Sequence, residues 1–329
     1  MHNFTQYITI DNFKSIEHIE LKDCRRINLF IGRPNVGKSN LLEAISLFSL
    51  PYVRYAKKKT IQQFIRVESD AELFFDGNID SQISVQSSRG NIYLDEVSNG
   101  LNVELYLENT DIPAFSVLFN ELTTKRSIEE VQNNPFKSYY YPDSFEKEKI
   151  PVNYLLPPHG NNLMNIVSQL PQLKDELKEI FASYGLQYVF DTNSQEIKVI
   201  KQKRPGEIFL IPFHSIADTL QRLIFYKAAI ESNHNAILTF EEPEAHSYPP
   251  YISKITQSII ASKTNQFFIT THSPYVVNDF LELKSNELSI NIVDLKEGRT
   301  IIKRLSDKEL QDVYEYGVDL FYNTETFLQ

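Results

Sequence analysis

One glycine-containing segment constrains the fold of this chain more than any other feature. Residues 32–39 read Gly-Arg-Pro-Asn-Val-Gly-Lys-Ser and match the pattern G-x-x-x-x-G-K-S/T at every fixed position. The largely apolar residues 26–31 precede the segment and predict a buried strand, whereas residues 41–48 carry apolar side chains at helical spacing. The sequence therefore predicts a strand, a phosphate-binding loop and a helix, in this order.

The loop offers groups that suit a nucleoside triphosphate. Its backbone N–H groups can turn inward around an anion, and the N-terminus of the following helix reinforces this attraction. Lys38 can reach the β- and γ-phosphates, and the hydroxyl of Ser39 can ligate Mg²⁺. A chance match in an ordinary strand–turn–helix connection is the alternative. We predict that ATP contacts Gly32, Arg33, Pro34, Asn35, Val36, Gly37, Lys38, Ser39 and Asn40.

Two adjacent acids follow a second apolar run. Residues 237–240 read Ile-Leu-Thr-Phe, and Glu241 and Glu242 come next. The carboxyl end of a parallel strand borders the ligand site of such sheets, and successive strand residues face opposite ways. We therefore assign Glu241 to Mg²⁺, as the acid of a Walker B motif, and Glu242 to the attacking water. A solvated acidic turn is the alternative interpretation.

A third apolar run ends in polar residues in the same way. Residues 267–271 read Phe-Phe-Ile-Thr-Thr and lead to His272. If this strand belongs to the same sheet, the imidazole lies at the same edge and can hydrogen-bond a γ-phosphate oxygen. A structural histidine is the alternative. We predict that His272 senses the γ-phosphate during catalysis.

Composition narrows the class of function. Lys and Arg total 33 against 43 for Asp and Glu, so the net charge of −10 opposes general nucleic-acid binding, and DNA contact would need a local patch. A single cysteine, Cys24, excludes an intramolecular disulfide and a multi-cysteine zinc site. The sequence has no apolar run of about 18 residues and no secretory signal at its N-terminus. We expect a cytoplasmic protein without membrane contact.

The spacing of apolar residues changes along the chain and predicts an α/β fold. Residues 1–50 and 200–305 alternate strands and helices, which predicts an ATPase core with a mainly parallel sheet. Short strands and turn residues predict an antiparallel β lobe over residues 51–110. A mixed, partly helical insertion is predicted over residues 111–199, and a C-terminal helix over residues 306–329.

Several segments within these regions carry sharper predictions. Residues 71–75 are predicted as a strand, and residues 187–200 as a hairpin. Residues 135–142, which include three consecutive tyrosines, are predicted as an aromatic loop that packs on its own domain; base stacking is the alternative. Residues 163–184 carry a helical pattern.

The three motifs, in this order and with a long insertion after the first, resemble the ATPase head of ABC, SMC and RecF-type proteins. Residues 8–16 and the phosphate loop resemble the start of the SMC/RecF branch. Glu-Glu-Pro-Glu-Ala-His at 241–246, Thr-Thr-His-Ser-Pro at 270–274 and the segment 155–163 resemble the AAA_15/AAA_21 group, which includes the ATPase half of OLD-family proteins. The resemblance implies a two-lobed head that forms a homodimer around ATP.

The chain departs from this resemblance at two positions. The signature position falls in residues 213–222, which contain Ser215 but no glycine pair. The resemblance implies that Ser215 contacts ATP in the opposite subunit, whereas Ser215 and Asp218 can also cap the following helix. Glu241 stands where most ABC proteins carry an aspartate, which can move the Mg²⁺ contact to a bridging water.

The resemblance implies an Mg²⁺-dependent ATPase that serves as motor or sensor for a separate effector, such as a nuclease or toxin. Its implied setting is prokaryotic DNA repair or antiviral (anti-phage) defence. The TOPRIM nuclease domain of OLD-type chains is not expected after the third motif. A nucleotide-switched scaffold that recruits a partner with negligible hydrolysis is the alternative function. A transporter subunit is disfavoured because the glycine signature is missing.

Overall fold

The chain forms two compact units, each of which is described separately. The structure, a computed structural model, describes residues 4–108, 110–125, 128–129, 131–143, 145, 150–204, 206–283 and 286–328. The first unit consists of Met1–Ser138, Asn235–Glu242 and Lys263–Gln329, and the second consists of Tyr139–His234 and Pro243–Ser262.

Strands and helices alternate with several 3₁₀ turns. In chain order the strands of the described residues are β1 (Ile8–Phe13), β2 (Ile16–Leu21), β3 (Ile27–Ile31), β4 (Ile83–Ser87), β5 (Gly90–Val97), β6 (Gly100–Leu107), β7 (Phe115–Phe119), β8 (Phe136–Tyr139), β9 (Gln187–Asp191), β10 (Glu196–Arg204), β11 (Glu207–Pro212), β12 (Ile237–Glu241), β13 (Gln266–Thr270), β14 (Leu288–Lys296) and β15 (Arg299–Arg304). The helices are α1 (Lys38–Ser46), α2 (Leu163–Gln169), α3 (Pro171–Ser183), α4 (Asp218–Glu231), α5 (Pro249–Ala261), α6 (Pro274–Leu281), α7 (Asp307–Tyr316) and α8 (Thr324–Leu328).

A six-stranded sheet in the order β15-β14-β3-β13-β12-β8 forms the centre of the first unit. Strands β14, β3, β13 and β12 pair in parallel, and β15 runs antiparallel to β14. All five residues of β3 and of β13 are buried, as expected for parallel strands that are covered on both faces. Helix α1 packs against β12 and β13. These findings confirm the α/β fold and its mainly parallel core sheet.

The second sheet of the first unit is antiparallel, with strands in the order β2-β1-β4-β5-β6-β7. Buried and half-buried residues alternate along β6, which is the pattern of a sheet with one covered face. The prediction that the fold includes an antiparallel β lobe is thus confirmed, although β1, β2 and β7 of this sheet lie outside residues 51–110. The strand predicted at residues 71–75 is wrong. Asp70–Leu73 form a 3₁₀ helix instead, because the Glu72 carboxylate accepts hydrogen bonds from Glu68 N and Ser69 Oγ and thereby favours a turn.

The second unit contains α2 to α5 and a three-stranded antiparallel sheet in the order β11-β10-β9. The predicted hairpin is confirmed by the pairing of β9 with β10. The helical pattern over residues 163–184 is split between α2 and α3 because Leu170, which precedes Pro171, adopts an extended conformation.

The aromatic segment 135–142 is not a loop throughout, since Phe136–Tyr139 form β8. Tyr139 is completely buried, and its hydroxyl donates a hydrogen bond to Leu155 O while accepting one from Asn233 Nδ2. A buried tyrosine is tolerated where its hydroxyl finds such partners. The stacking of bases on this residue is therefore excluded.

The segment predicted as one C-terminal helix forms α7 and α8. Helix α7 begins with a capping box at Ser306 and ends at Gly317, which adopts a left-handed conformation with φ of 63°. Among the described residues, no helix combines the length and the apolar character needed to cross a membrane.

Candidate functional site

The register of three parallel strands brings the three sequence motifs together in the first unit. In the central sheet β13 lies between β3 and β12, and Thr270 pairs with both Phe30 and Glu241. The carboxyl ends of the three strands are therefore level. The phosphate loop follows β3, His272 follows β13 by two residues, and Glu242 follows β12 directly. Such an edge is where open α/β sheets bind ligands.

The phosphate loop is held in a conformation that requires glycine at Gly37. This residue has φ of 97°, and a Cβ atom built on it would lie 2.0 Å from Thr300 Oγ1. Thr300 Oγ1 donates to Val36 O over 3.1 Å and lies 2.6 Å from Ser15 Oγ, which accepts a hydrogen bond from Asn40 Nδ2. The loop is thus braced by side chains from a strand, a turn and a helix.

Replacing Gly37 by alanine is expected to destabilise the loop strongly. The left-handed backbone costs ~1–2 kcal/mol for a residue with a Cβ atom, and the clash with the hydrogen-bonded Thr300 hydroxyl adds ~1–3 kcal/mol. Urea unfolding should show Gly37→Ala to be about 3 kcal/mol less stable than the wild type. Gly298→Ala is the matched control, since Gly298 has φ of 78° with no atom within 4 Å, and should lose only about 1 kcal/mol. Equal losses would contradict the close approach.

Lys38 is the first residue of α1, and its charge interacts with the two acids at the end of β12. Its side chain is buried, and Nζ donates a hydrogen bond to Arg33 O over 2.7 Å. Burial lowers the pKa of Lys38, while Glu242 and Glu241 oppose this shift by stabilising the charged form. An ammonium group has three N–H donors, so the geometry leaves donors for a phosphate group.

Glu242 and His272 form a pair beyond the carboxyl ends of β12 and β13. Glu242 N donates to Thr270 O over 3.0 Å, which fixes the backbone of Glu242 in a positive φ of 42°. His272 Nε2 lies 3.4 Å from Glu242 Oε1, and both side chains are about one-third exposed. Burial, together with the charge of Lys38, lowers the pKa of His272, and Glu242 only partly compensates. The imidazole is therefore neutral at neutral pH and the site is accessible to solvent.

Glu241 belongs to a network of charges that no sequence motif indicates. Arg66 Nη2 donates to Glu241 Oε1 over 2.6 Å, and Arg66 Nε donates to Glu43 Oε1 over 2.7 Å. The buried Glu43 also forms an ion pair with Lys14. Although burial opposes the shift, Glu241 and Glu43 raise the pKa of Arg66 above its ordinary value. The proposed metal ligand therefore already has a cationic partner.

The remaining loop residues point to different partners. The Arg33 guanidinium forms an ion pair with Asp294 over 3.0 Å, which raises the pKa of Arg33. Val36 is buried, whereas Pro34 and Asn35 are exposed. The Asn40 amide is engaged by Ser15 Oγ. Contacts from the side chains of Arg33 and Asn40 to ATP thus stay predictions.

Ser215 lies in the second unit, in the 3₁₀ turn Phe213–Ser215. The interpretation of Ser215 as a helix cap is wrong, because α4 begins at Asp218 and its N-cap residue is Ala217. Asp218 instead forms an ion pair with Arg222 one turn along the helix, over 2.8 Å. A contact between Ser215 and ATP of the opposite subunit stays a prediction.

The residues at the sheet edge fit a triphosphate with Mg²⁺. Ser39 and Glu241 supply hydroxyl and carboxylate oxygens, which are the ligands that Mg²⁺ prefers. The buried cation of Lys38 suits the anionic phosphates, and the two acids near it suit the metal ion. Lys14, Ser15, Glu43, Arg66 and Thr300 complete the surroundings of the site without belonging to any of the three motifs. Of these five residues, only Lys14 and Ser15 lie in a segment that the sequence singled out, residues 8–16, which resemble the start of the SMC/RecF branch.

Comparisons with known proteins agree with this fold. A family model for AAA_21, described as "AAA domain, putative AbiEii toxin, Type IV TA system", matches residues 27–278, which contain all three motifs. The fold is similar to an Smc head bound to the C-winged helix domain of ScpA, with a TM-score of 0.54, 14% identity, and coverage of 93% of this chain and 99% of that one. An Smc head with an extended coiled coil, bound to the C-terminal domain of ScpA from Pyrococcus furiosus, gives a TM-score of 0.52, 12% identity, and coverage of 95% and 99%.

Proposed function

The chain belongs to the AAA_21 family, and on this premise we propose that it binds ATP with Mg²⁺ and hydrolyses it to ADP and phosphate. The observation that carries the proposal is the meeting of Lys38, Glu242 and His272 at one edge of the central sheet. The likeness to SMC heads supports the same fold class. The direct test is phosphate release by the purified chain with Mg²⁺, compared with the same reaction in EDTA.

Each residue has a distinct role in the proposed reaction. Lys38 exchanges the Arg33 carbonyl for the β- and γ-phosphates, and the loop N–H groups hold the same oxygens. Ser39 and Glu241 hold Mg²⁺, which neutralises charge on the phosphates when bound. Glu242 orients the attacking water and accepts its proton. His272, neutral beside Glu242, donates a hydrogen bond to the γ-phosphate.

Glu241 has to exchange Arg66 for the metal ion, which yields a prediction for Arg66→Ala. An ion pair of this exposure is worth ~0.2–1 kcal/mol, so removing Arg66 should lower the Mg²⁺ concentration for half-maximal hydrolysis by a factor of roughly 1.4 to 5. Glu43 keeps Lys14 as its partner in this variant. The matched control is Arg299→Ala, which breaks a surface pair with Glu17 in the same unit. A higher Mg²⁺ requirement in Arg66→Ala would contradict the competition.

Dimerisation and an effector form the second part of the proposal. We infer a homodimer closed around ATP, in which Ser215 contributes from the opposite subunit, and a separate effector protein such as a nuclease or toxin. Structures of Smc heads with ScpA support the use of such a head by a separate partner. Prokaryotic DNA repair or anti-phage defence is the proposed setting. Sizing of the protein with and without ATP and Mg²⁺ tests the dimer.

A scaffold that binds ATP without appreciable hydrolysis is the second candidate function. The ion pair between Arg66 and Glu241 favours it, because an arginine held at the proposed metal ligand opposes assembly of the catalytic site. The absence of a glycine pair in residues 213–222 also favours it. Single-turnover hydrolysis, measured with and without DNA, separates the two: a scaffold binds ATP but releases no phosphate in either condition.

A further inference from the structure

The outermost strand of the second unit exposes apolar side chains in an unusual run. Strand β11 is an edge strand, since the sheet order is β11-β10-β9 and no strand of the described residues pairs with its other edge. Ile208, Phe209 and Leu210 are consecutive and are 60%, 50% and 45% exposed. Because neighbouring strand residues face opposite ways, apolar surface lies on both faces of the edge.

Edge strands of this kind are rare in proteins that act alone. Free backbone N–H and C=O groups beside exposed apolar side chains invite pairing with another strand, and natural proteins usually protect such edges with charges, prolines or a covering element. In β11 the only charged residue is Glu207, at its beginning, and Pro212 stands at its end. The four residues between them therefore form an open site for one further strand.

The strand beside this edge is strongly basic. Lys201, Lys203 and Arg204 of β10 are exposed, and among the described residues none of the three takes part in an ion pair. Lys201 stands opposite Phe209 in the register, and Lys203 Nζ lies 5.0 Å from the centre of the Phe209 ring. This positive patch is carried by a chain with a net charge of −10.

We propose that β11 is a docking site for an extended peptide segment of a different protein, in which acidic and apolar residues alternate. The peptide adds to the sheet as a fourth strand. Its apolar side chains lie on the face of Ile208 and Leu210, and its acids lie on the opposite face, beside Lys201 and Lys203 of β10. A second copy of this chain is a poor occupant, because it would bring the same basic strand close to the first and so place like charges together. The proposal does not depend on ATP hydrolysis.

Peptide binding tests the proposal directly. A library of peptides of about nine residues, with Val, Ile or Phe alternating with Asp or Glu, is screened against the wild type by fluorescence anisotropy. The matched library carries Lys or Arg in place of the acids. We expect micromolar binding from the acidic library only, together with slower amide hydrogen exchange in residues 207–212. Lys201→Glu with Lys203→Glu should weaken this binding at least ten-fold.

The controls separate the proposed occupant from the others. Lys58→Glu with Lys125→Glu reverses two exposed charges outside the second unit and should leave peptide affinity unchanged. Leu210→Ser should weaken peptide binding while leaving ATP binding unaltered, because Leu210 lies on the face that the apolar side chains of the peptide cover. The proposal is overturned if neither library binds, if the basic library binds equally well, or if Leu210→Ser changes only the oligomeric state. It is also overturned if the basic patch binds oligonucleotides and no acidic peptide.

Discussion

Glu242→Gln is expected to retain ATP binding while its steady-state ATP turnover falls by at least about 100-fold, the typical contribution of a general base. The amide keeps the shape of the side chain but cannot accept a proton from water. The backbone contact of Glu242 N with Thr270 O is unaffected by this change, so the strand end should keep its geometry. Because bound ATP is not cleaved in this variant, the proposed dimer should accumulate. Size-exclusion chromatography with light scattering detects such a dimer.

Two further measurements make this experiment decisive. Glu297→Gln removes an exposed carboxylate at the turn between β14 and β15 and should match the wild type in turnover and in size. Equilibrium binding of a fluorescent ATP analogue then shows whether Glu242→Gln still holds nucleotide. Wild-type turnover in Glu242→Gln would remove Glu242 from the mechanism. Loss of nucleotide binding would instead assign Glu242 a structural role.

The sequence allowed the centre of the fold to be predicted because the relevant signals are local. Each of the strands β3, β12 and β13 is a short apolar run that ends in polar residues, and their parallel pairing follows from the alternation with helices. Only one sheet edge can then hold the loop, the acids and the histidine. The sequence could not show how the side chains at that edge pair with the rest of the unit.

Arg66 illustrates why the surroundings of the site escaped prediction. It lies 175 positions before Glu241, in a loop that follows the short 3₁₀ helix Ile61–Gln63, and its two partners come from a helix and a strand end. Such contacts depend on tertiary packing rather than on local spacing. Strand β11 escaped for a related reason, since its exposed apolar run has no alternation to mark it as a strand.

The second large effect is expected from Lys38→Met, which should lower ATP hydrolysis at least about 100-fold because the ammonium group stabilises charge on the transferred phosphate. Methionine retains most of the aliphatic length of lysine and removes the charge. Loss of activity without loss of folding would then assign the effect to the charge itself. Lys58→Met, at an exposed lysine in the same unit, is the matched control for hydrolysis.

The burial of Lys38 makes the folding outcome predictable as well. Burial lowers its pKa in the folded chain, so the charged form is less favourable there than in the unfolded chain. As pH falls through the unfolded pKa of about 10.4 toward the lowered folded pKa, the unfolded state binds more protons and the stability contributed by Lys38 declines. At neutral pH without nucleotide, Lys38→Met should therefore unfold at the same temperature as the wild type or higher.

Adding ATP and Mg²⁺ should raise the unfolding temperature of the wild type alone, because ligand binding stabilises only a chain that binds the ligand. Lys38→Met that unfolds earlier than the wild type would show that Lys38 supports the loop. An equal ATP-induced rise in both proteins would show that Lys38 does not contribute to ATP binding.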